Sequence, residues 1–167
     1  MPLQAEGEFA LVKEQLDKAL QLSGQPVKRG TMAHDHDVYM VLTDTAALRR
    51  DMTALREYAP RLEELAARDG HRLYLAIAHR AWAVAHRLAG ELAEAQARLD
   101  QAMELFGELG TRWQTGRTLF ELGELDLARS DKKKARADFE HALAEFEKMK
   151  AAPDVERARA ALAELKM

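Results

Sequence analysis

The chain repeats itself every 40 residues, and this period constrains its fold more than any other feature of the sequence. Three glycines stand in register at that spacing, namely Gly30, Gly70 and Gly110. Three acidic residues follow the same period, namely Asp51, Glu91 and Asp131. A unit this short cannot bury its own apolar face, so consecutive copies have to stack on one another. The sequence therefore predicts a stack of similar units.

Each unit divides into two helices. The glycines mark helix ends, because glycine accepts the left-handed conformation that closes a helix at low cost. The acidic residues mark a second, tighter turn, after which a carboxylate can cap the next helix. Helices are therefore predicted at 4–23, 31–49, 52–68, 71–89, 92–108, 111–129, 132–149 and 153–166.

The distribution of apolar residues separates inner helices from outer ones. The helix at 71–89 has apolar side chains on two opposite sides, which is typical of a helix sandwiched between neighbours. The helices at 92–108 and 132–149 have a single apolar stripe each, and their other positions are largely charged. Such helices have one solvated side. Each unit therefore pairs an inner helix with an outer helix.

The length of 167 residues favours one domain over the whole chain, 1–167. We expect units at 31–70, 71–110 and 111–150, an N-terminal half-repeat at 1–30 and a C-terminal capping helix at 151–167. Charged residues of the cap are expected in solvent, namely Glu156, Arg157, Arg159, Glu164 and Lys166.

Composition excludes several classes of site and partner. The chain has no cysteine, which rules out disulfides, thiolate nucleophiles and cysteine-ligated zinc. The net charge of -3 gives no global attraction to nucleic acid or to an anionic membrane. The acidic N-terminus is unlike a signal peptide, and no run approaches the roughly 18 apolar residues of a membrane span. We therefore expect a cytoplasmic protein without membrane contact.

The last unit carries a known pattern, formed by Leu119, Leu122, Gly123, Ala135, Phe139 and Ala142. The unit before it repeats the pattern more loosely, at His79, Trp82, Ala83, Ala95, Leu99 and Ala102. In its spacing the pattern resembles the tetratricopeptide repeat, most clearly over 71–150. It departs from that family in having 40 residues where about 34 are usual. Asp126 and His86 also stand where the family usually has tyrosine. The resemblance implies an all-α, right-handed superhelical solenoid of seven or eight antiparallel helices.

The resemblance also implies a non-catalytic module that binds another protein, with a peptide or helix held in a concave groove. The groove-lining positions would be Asp37, Met40, Asp44, Ile77, Arg80, Val84, Arg87, Arg117, Phe120, Glu124 and Leu127. Apolar and charged groups alternate among them, which suits an acidic or amphipathic partner. In the competing interpretation the apolar residues pack between helices and the charges pair across them.

The arginines of the inner helix at 71–89 leave two interpretations open. This stretch has no acidic residue, so Arg80 and Arg87 could steer an acidic peptide. The neighbouring inner helices supply carboxylates for internal pairing, namely Asp35, Asp37, Asp44, Glu121 and Glu124. We favour internal pairing.

Two further functions are weighed as alternatives. The arginine-rich segment at 109–119 resembles repeats in the regulatory arms of large bacterial transcription activators and signalling ATPases, which would make the chain a sensor segment of such a regulator. The histidines of the inner helices suggest the second alternative, a metal- or nucleotide-dependent activity. His34 and His36 point about 200° apart on a helix, however, and about 10 Å of helix rise separates His79 from His86.

No catalytic motif is present in the sequence, since it contains no phosphate-binding loop, nucleophile elbow or zinc-protease motif. The prediction is therefore no enzyme, no cofactor and no metal. The helix predicted at 4–23 carries an apolar stripe with no inner helix to cover it, formed by Phe9, Val12, Leu16, Ala19 and Leu20. An uncovered edge of this kind favours self-association, so a homodimer through the N-terminal helix is a further hypothesis.

Overall fold

The computed structural model describes the backbone of residues 32–166 and the side chains of 35–166, together with positions 14 and 18. Regular structure in this part of the chain is helical throughout. Its seven helices are α1 (Met32–Arg49), α2 (Met52–Arg68), α3 (Arg72–Ala89), α4 (Leu92–Leu109), α5 (Arg112–Ala128), α6 (Lys132–Lys148) and α7 (Ala152–Glu164). The predicted helices from residue 31 onward agree with these bounds to within two residues. The helix predicted at 4–23, and with it the dimer contact, lies outside the described residues except at positions 14 and 18.

The turns between helices share one backbone conformation. A residue with positive φ recurs every 20 residues, and three of these residues are Gly70, Gly90 and Gly110, at 66°, 81° and 66°. The helix ends predicted at Gly70 and Gly110 are confirmed, whereas Gly30 lies outside the described residues. The same conformation is adopted without glycine at Arg50, Ser130 and Lys150.

The predicted acidic caps form at two of the three positions. The Asp51 carboxylate accepts a hydrogen bond from the backbone N–H of Ala54 at 3.0 Å. Asp131 accepts one from the N–H of Lys134, also at 3.0 Å. The prediction is wrong for Glu91, whose longer side chain reaches back to His86 Nδ1 at 2.6 Å and makes no capping bond.

The inner and outer helices follow the predicted alternation. On α3 the buried residues occupy both predicted stripes, including Ile77 and Val84 on one and Ala78 and Ala85 on the other. The outer helices α4 and α6 each bury a single stripe, formed by Ala95, Leu99, Ala102 and Phe106 and by Ala135, Phe139, Ala142 and Phe146. The structure is thus an all-α solenoid of stacked helix pairs.

The helix contacts give the stack its curvature. The inner helix α3 packs on α1 and on α5, whereas the outer helices α2, α4 and α6 have no contact of similar extent with one another. Because the inner helices contact one another more closely than the outer helices do, the stack curves toward the inner helices, which lie on its concave side. The division of the chain into units 31–70, 71–110 and 111–150 stays a prediction, although helix starts recur every 40 residues, at 32, 72, 112 and 152.

Candidate partner-binding face

Asp44 joins three inner helices on the concave side. It lies on α1 and its carboxylate receives Arg80 Nη2 of α3 at 3.1 Å. Arg117 of α5 donates to the same carboxylate through two nitrogens, at 2.7 and 3.0 Å. This Asp44 cluster of one carboxylate and two guanidinium groups therefore crosses from the first inner helix to the third, because paired hydrogen bonds fix both the distance and the orientation of the groups.

Arg80 is held almost completely inside the protein, with 2% of its surface exposed. It donates a further hydrogen bond to the Gln114 carbonyl at 3.2 Å and lies 5.2 Å from the centre of the Phe106 ring. Burial lowers the pKa of Arg80 to about 10, and the nearby charge of Arg117 acts in the same direction. For Asp44, burial alone would raise the pKa, but the charges and hydrogen bonds of Arg80 and Arg117 outweigh it and lower the pKa.

A second group of charges surrounds Glu121, which is buried on α5. Arg50 Nη1 lies 2.8 Å and Arg157 Nη2 3.4 Å from the same oxygen, Glu121 Oε1. Arg87 Nη2 lies 3.6 Å from the other oxygen, and Arg87 also lies 3.6 Å from the Glu124 carboxylate. Burial would raise the pKa of Glu121, but the charges of Arg50 and Arg157 prevail and lower it. We call Arg50, Arg87, Arg157, Glu121 and Glu124 the Glu121 cluster.

The Glu121 cluster connects distant parts of the chain. Arg50 belongs to the turn after α1, whereas Arg157 lies on α7. Both nevertheless contact one oxygen atom, which shows how strongly the inner helices curve around α5. Their side chains keep 25% and 30% of their surface exposed, more than that of Arg87.

The structure separates the predicted groove residues into two sets. Five are buried and offer no surface to a partner, namely Ile77, Arg80, Val84, Arg117 and Phe120. Six retain some exposure, namely Asp37, Met40, Asp44, Arg87, Glu124 and Leu127. Close packing of the inner helices covers the first set. Binding of a partner by the second set stays a prediction.

The arginines of this face pair with carboxylates of the same chain, which is the interpretation favoured from the sequence. Arg80 and Arg117 pair with Asp44, and Arg87 pairs with Glu121 and Glu124. Asp37, which was also expected to pair with arginine, instead accepts a hydrogen bond from the Tyr74 hydroxyl on α3.

Sequence reasoning missed Arg50 and misplaced Arg157. Arg157 was expected in solvent with the other charges of α7, but its guanidinium group lies 4.0 Å from the centre of the Phe120 ring. Arg159, two residues further on, is exposed as expected and pairs with Glu147 at 2.7 Å. The helix period alone separates these two arginines by about 200°, so it indicates that they face different surroundings.

Neither a metal site nor a membrane span is found in the described part of the chain. Residues 35–166 contain no group of three or more histidine, aspartate or glutamate side chains placed to hold a metal ion. None of the seven helices is sufficiently long and apolar to cross a lipid bilayer.

Comparison with known families supports the class of protein that the stacked helix pairs define. Residues 74–148 match the family model described as tetratricopeptide repeat. The matched region, which runs from α3 to α6, is therefore a tetratricopeptide-repeat region. A search of curated proteins gave no match to the chain.

Proposed function

We propose that this chain is a non-catalytic protein-interaction module whose concave face, formed by α1, α3, α5 and α7, binds a peptide or helix of a partner. Tetratricopeptide repeats generally serve as protein-interaction scaffolds, which supports the class of function. The observation that carries the proposal is the concentration of partly exposed charged groups on the inner helices. Stacked repeats use such an extended inner surface for binding.

The proposal predicts that binding depends on the concave face and not on the outer one. Peptides would be selected from a displayed library without sequence bias, and their affinities for the purified chain measured by fluorescence anisotropy. Asp37 is exposed on the inner helix α1, so Asp37→Trp adds bulk to the concave face. Glu104→Trp adds the same bulk to an exposed position of the outer helix α4 and serves as the control.

We expect Asp37→Trp to weaken the binding of the selected peptides about tenfold or more, a loss of roughly 1.4 kcal/mol of binding free energy. Glu104→Trp should leave the affinity unchanged. Selected peptides that bind both variants alike, or that lose affinity only with Glu104→Trp, would place binding elsewhere and refute the proposal.

A second candidate role is a regulatory segment of a larger bacterial transcription regulator or signalling ATPase. It rests on the resemblance of the segment at 109–119 to repeats of such proteins. Its test is to identify the neighbouring domains encoded in the source gene, and a gene that encodes this chain alone would contradict it. Cytoplasmic location and a homodimer through the helix predicted at 4–23 stay predictions in the same way.

A further inference from the structure

The two charged clusters of the concave face do not balance. The Asp44 cluster has two arginines for one carboxylate, and the Glu121 cluster has three arginines for two carboxylates. Each cluster therefore has one positive charge in excess, although the whole chain has a net charge of -3. The two clusters together therefore carry two positive charges in excess, opposite in sign to the net charge of the chain.

The excess charge is partly desolvated, which makes it a strong attractor for an anion. Arg87 has 12% of its side chain exposed, and its buried Nη2 makes no hydrogen bond. A guanidinium group has five N–H donors, so the arginines of the Glu121 cluster have donors beyond those that their carboxylates occupy. A further carboxylate would satisfy donors that are already removed from bulk water.

Two exposed leucines stand beside this cluster. Leu48 precedes Arg50 by two residues and Leu88 directly follows Arg87, and each has 41% of its surface exposed. Leu48 and Leu88 are 40 residues apart and occupy the same position on the adjacent inner helices α1 and α3. The ends of α1 and α3 that lead to Arg50 and carry Arg87 therefore also carry exposed apolar side chains.

Resting on the function proposed above, we propose that the concave face selects an acidic, leucine-containing segment of a partner protein, one of whose carboxylates docks between Arg50 and Arg157. These two guanidinium groups already converge on one oxygen of Glu121 and are the most exposed arginines of the cluster. A nucleic acid is a poorer fit, because its backbone carries a charge about every 1.7 Å and would meet Glu124 and Asp37 on the same face. An excess of two charges suits a short acidic segment.

The test uses a fluorescein-labelled peptide of alternating glutamate and leucine, and a matched peptide with glutamine in place of glutamate. Affinities for the full chain would be measured by anisotropy at low and high salt. We expect the glutamate peptide to bind more tightly than the glutamine peptide, with a preference that shrinks as salt is added. Equal affinity of the two peptides would overturn the proposal, as would tighter binding of a single-stranded RNA probe.

Two matched substitutions on α7 locate the contact. Arg157→Gln should weaken the glutamate peptide about fivefold, the effect of about 1 kcal/mol for a partly exposed charge pair. Arg159→Gln removes the same charge two residues away on the exposed side and should leave the affinity unchanged. Arg50→Gln and its neighbour Arg49→Gln form a second pair with the same expectation.

A variant that binds the glutamate peptide more tightly shows recognition of the peptide, because loss of folding could only weaken binding. Glu124→Gln removes one of the competing carboxylates, so it should tighten the glutamate peptide about two- to threefold, which a misfolded variant would not do. Unchanged or weaker binding in this variant contradicts the proposal. If the display-selected peptides lose affinity for Asp37→Trp but contain no acidic residues, the proposed function is supported and the proposal of an acidic partner is refuted.

Discussion

Three residues that are not glycine hold a backbone conformation that glycine adopts at lower cost. Arg50, Ser130 and Lys150 have φ of 56°, 64° and 55°, in the left-handed region. A side chain in this region brings Cβ close to the following carbonyl oxygen, which costs roughly 1 kcal/mol. The six turns that join α1 to α7 nevertheless take this conformation, because each helix has to turn back against the one before.

Ser130→Gly should therefore stabilise the protein by up to about 0.5 kcal/mol, after allowing for the greater freedom of glycine in the unfolded chain. The converse change, Gly90→Ala, should cost about 1 kcal/mol, since its φ is 81° and no atom crowds the position. Urea unfolding of both variants measures the two effects. A loss of stability on Ser130→Gly would contradict this account of the turns.

Asp126 and Asp138 form a second feature at the level of single residues. Asp126 is 1% exposed, and its Oδ1 contacts Lys134 Nζ at 3.3 Å while its Oδ2 makes no hydrogen bond. Burial, and then the neighbouring Asp126 carboxylate, raise the pKa of Asp138 to about 6. The folded protein therefore binds a proton at Asp138 more readily than the unfolded chain does.

This raised pKa fixes the sign of a pH effect on folding. The stabilising contribution of Asp138 is complete below its ordinary pKa of 3.8 and is lost as the pH rises through about 6. Asp138→Asn cannot ionise, so it should be more stable than the parent protein at pH 7, by about 1 kcal/mol once solvent screening is allowed for. The difference should disappear near pH 4. Thermal unfolding at both pH values checks this, with Asp100→Asn on the exposed side of α4 as control.

At the scale of helices, two glycines of α5 set the distance between α5 and α6. A Cβ added to Gly123 would lie 2.6 Å from the Phe139 ring, and one added to Gly116 would lie 2.9 Å from the Phe146 ring. Both rings are buried, with 0% and 1% exposure, so neither can move aside cheaply. The close approach of α5 and α6 therefore requires residues without side chains at these two positions.

We expect Gly123→Ala to destabilise the protein by about 1–3 kcal/mol, the usual cost of overpacking a core. Gly107 is the matched control, because it lies inside helix α4 with no atom within 4 Å of an added Cβ. Gly107→Ala should gain up to about 1 kcal/mol through the higher helix propensity of alanine. Urea unfolding distinguishes the two, and a similar change in both variants would show that packing against Phe139 does not decide the outcome.

The helices could be predicted from the sequence because their signals are local and repeated. Gly70 and Gly110 mark helix ends directly, and the acidic residues Asp51 and Asp131 mark turns whose positive-φ residues, Arg50 and Ser130, are not glycine. The contacts of the concave face depend instead on curvature, which brings residues 50 and 157 to one oxygen. Such a pairing across the stack has no period in the sequence, so Arg50 escaped prediction and Arg157 was placed in solvent.

At the scale of the whole molecule, the curvature of the stack depends on one carboxylate, that of Asp44. Asp44 belongs to α1, and its two arginines belong to α3 and α5. Without this carboxylate, Arg80 and Arg117 would face each other as like charges at 2% and 5% exposure. The stack should then either loosen or admit water between its inner helices.

Asp44→Asn should therefore destabilise the protein by about 3 kcal/mol, the cost of leaving buried charges without their partner. Asp37→Asn, at an exposed position of the same helix, should cost less than about 1 kcal/mol. Adding Arg117→Gln to Asp44→Asn should restore part of the loss, because it removes one of the two unmatched charges. Since the pKa of Asp44 is lowered, its contribution is present at neutral pH and is lost as the pH falls below 3.8. Acid and urea unfolding of these variants test the cluster, and a fully additive loss in the double variant would show that Asp44 and Arg117 do not stabilise the stack as a pair.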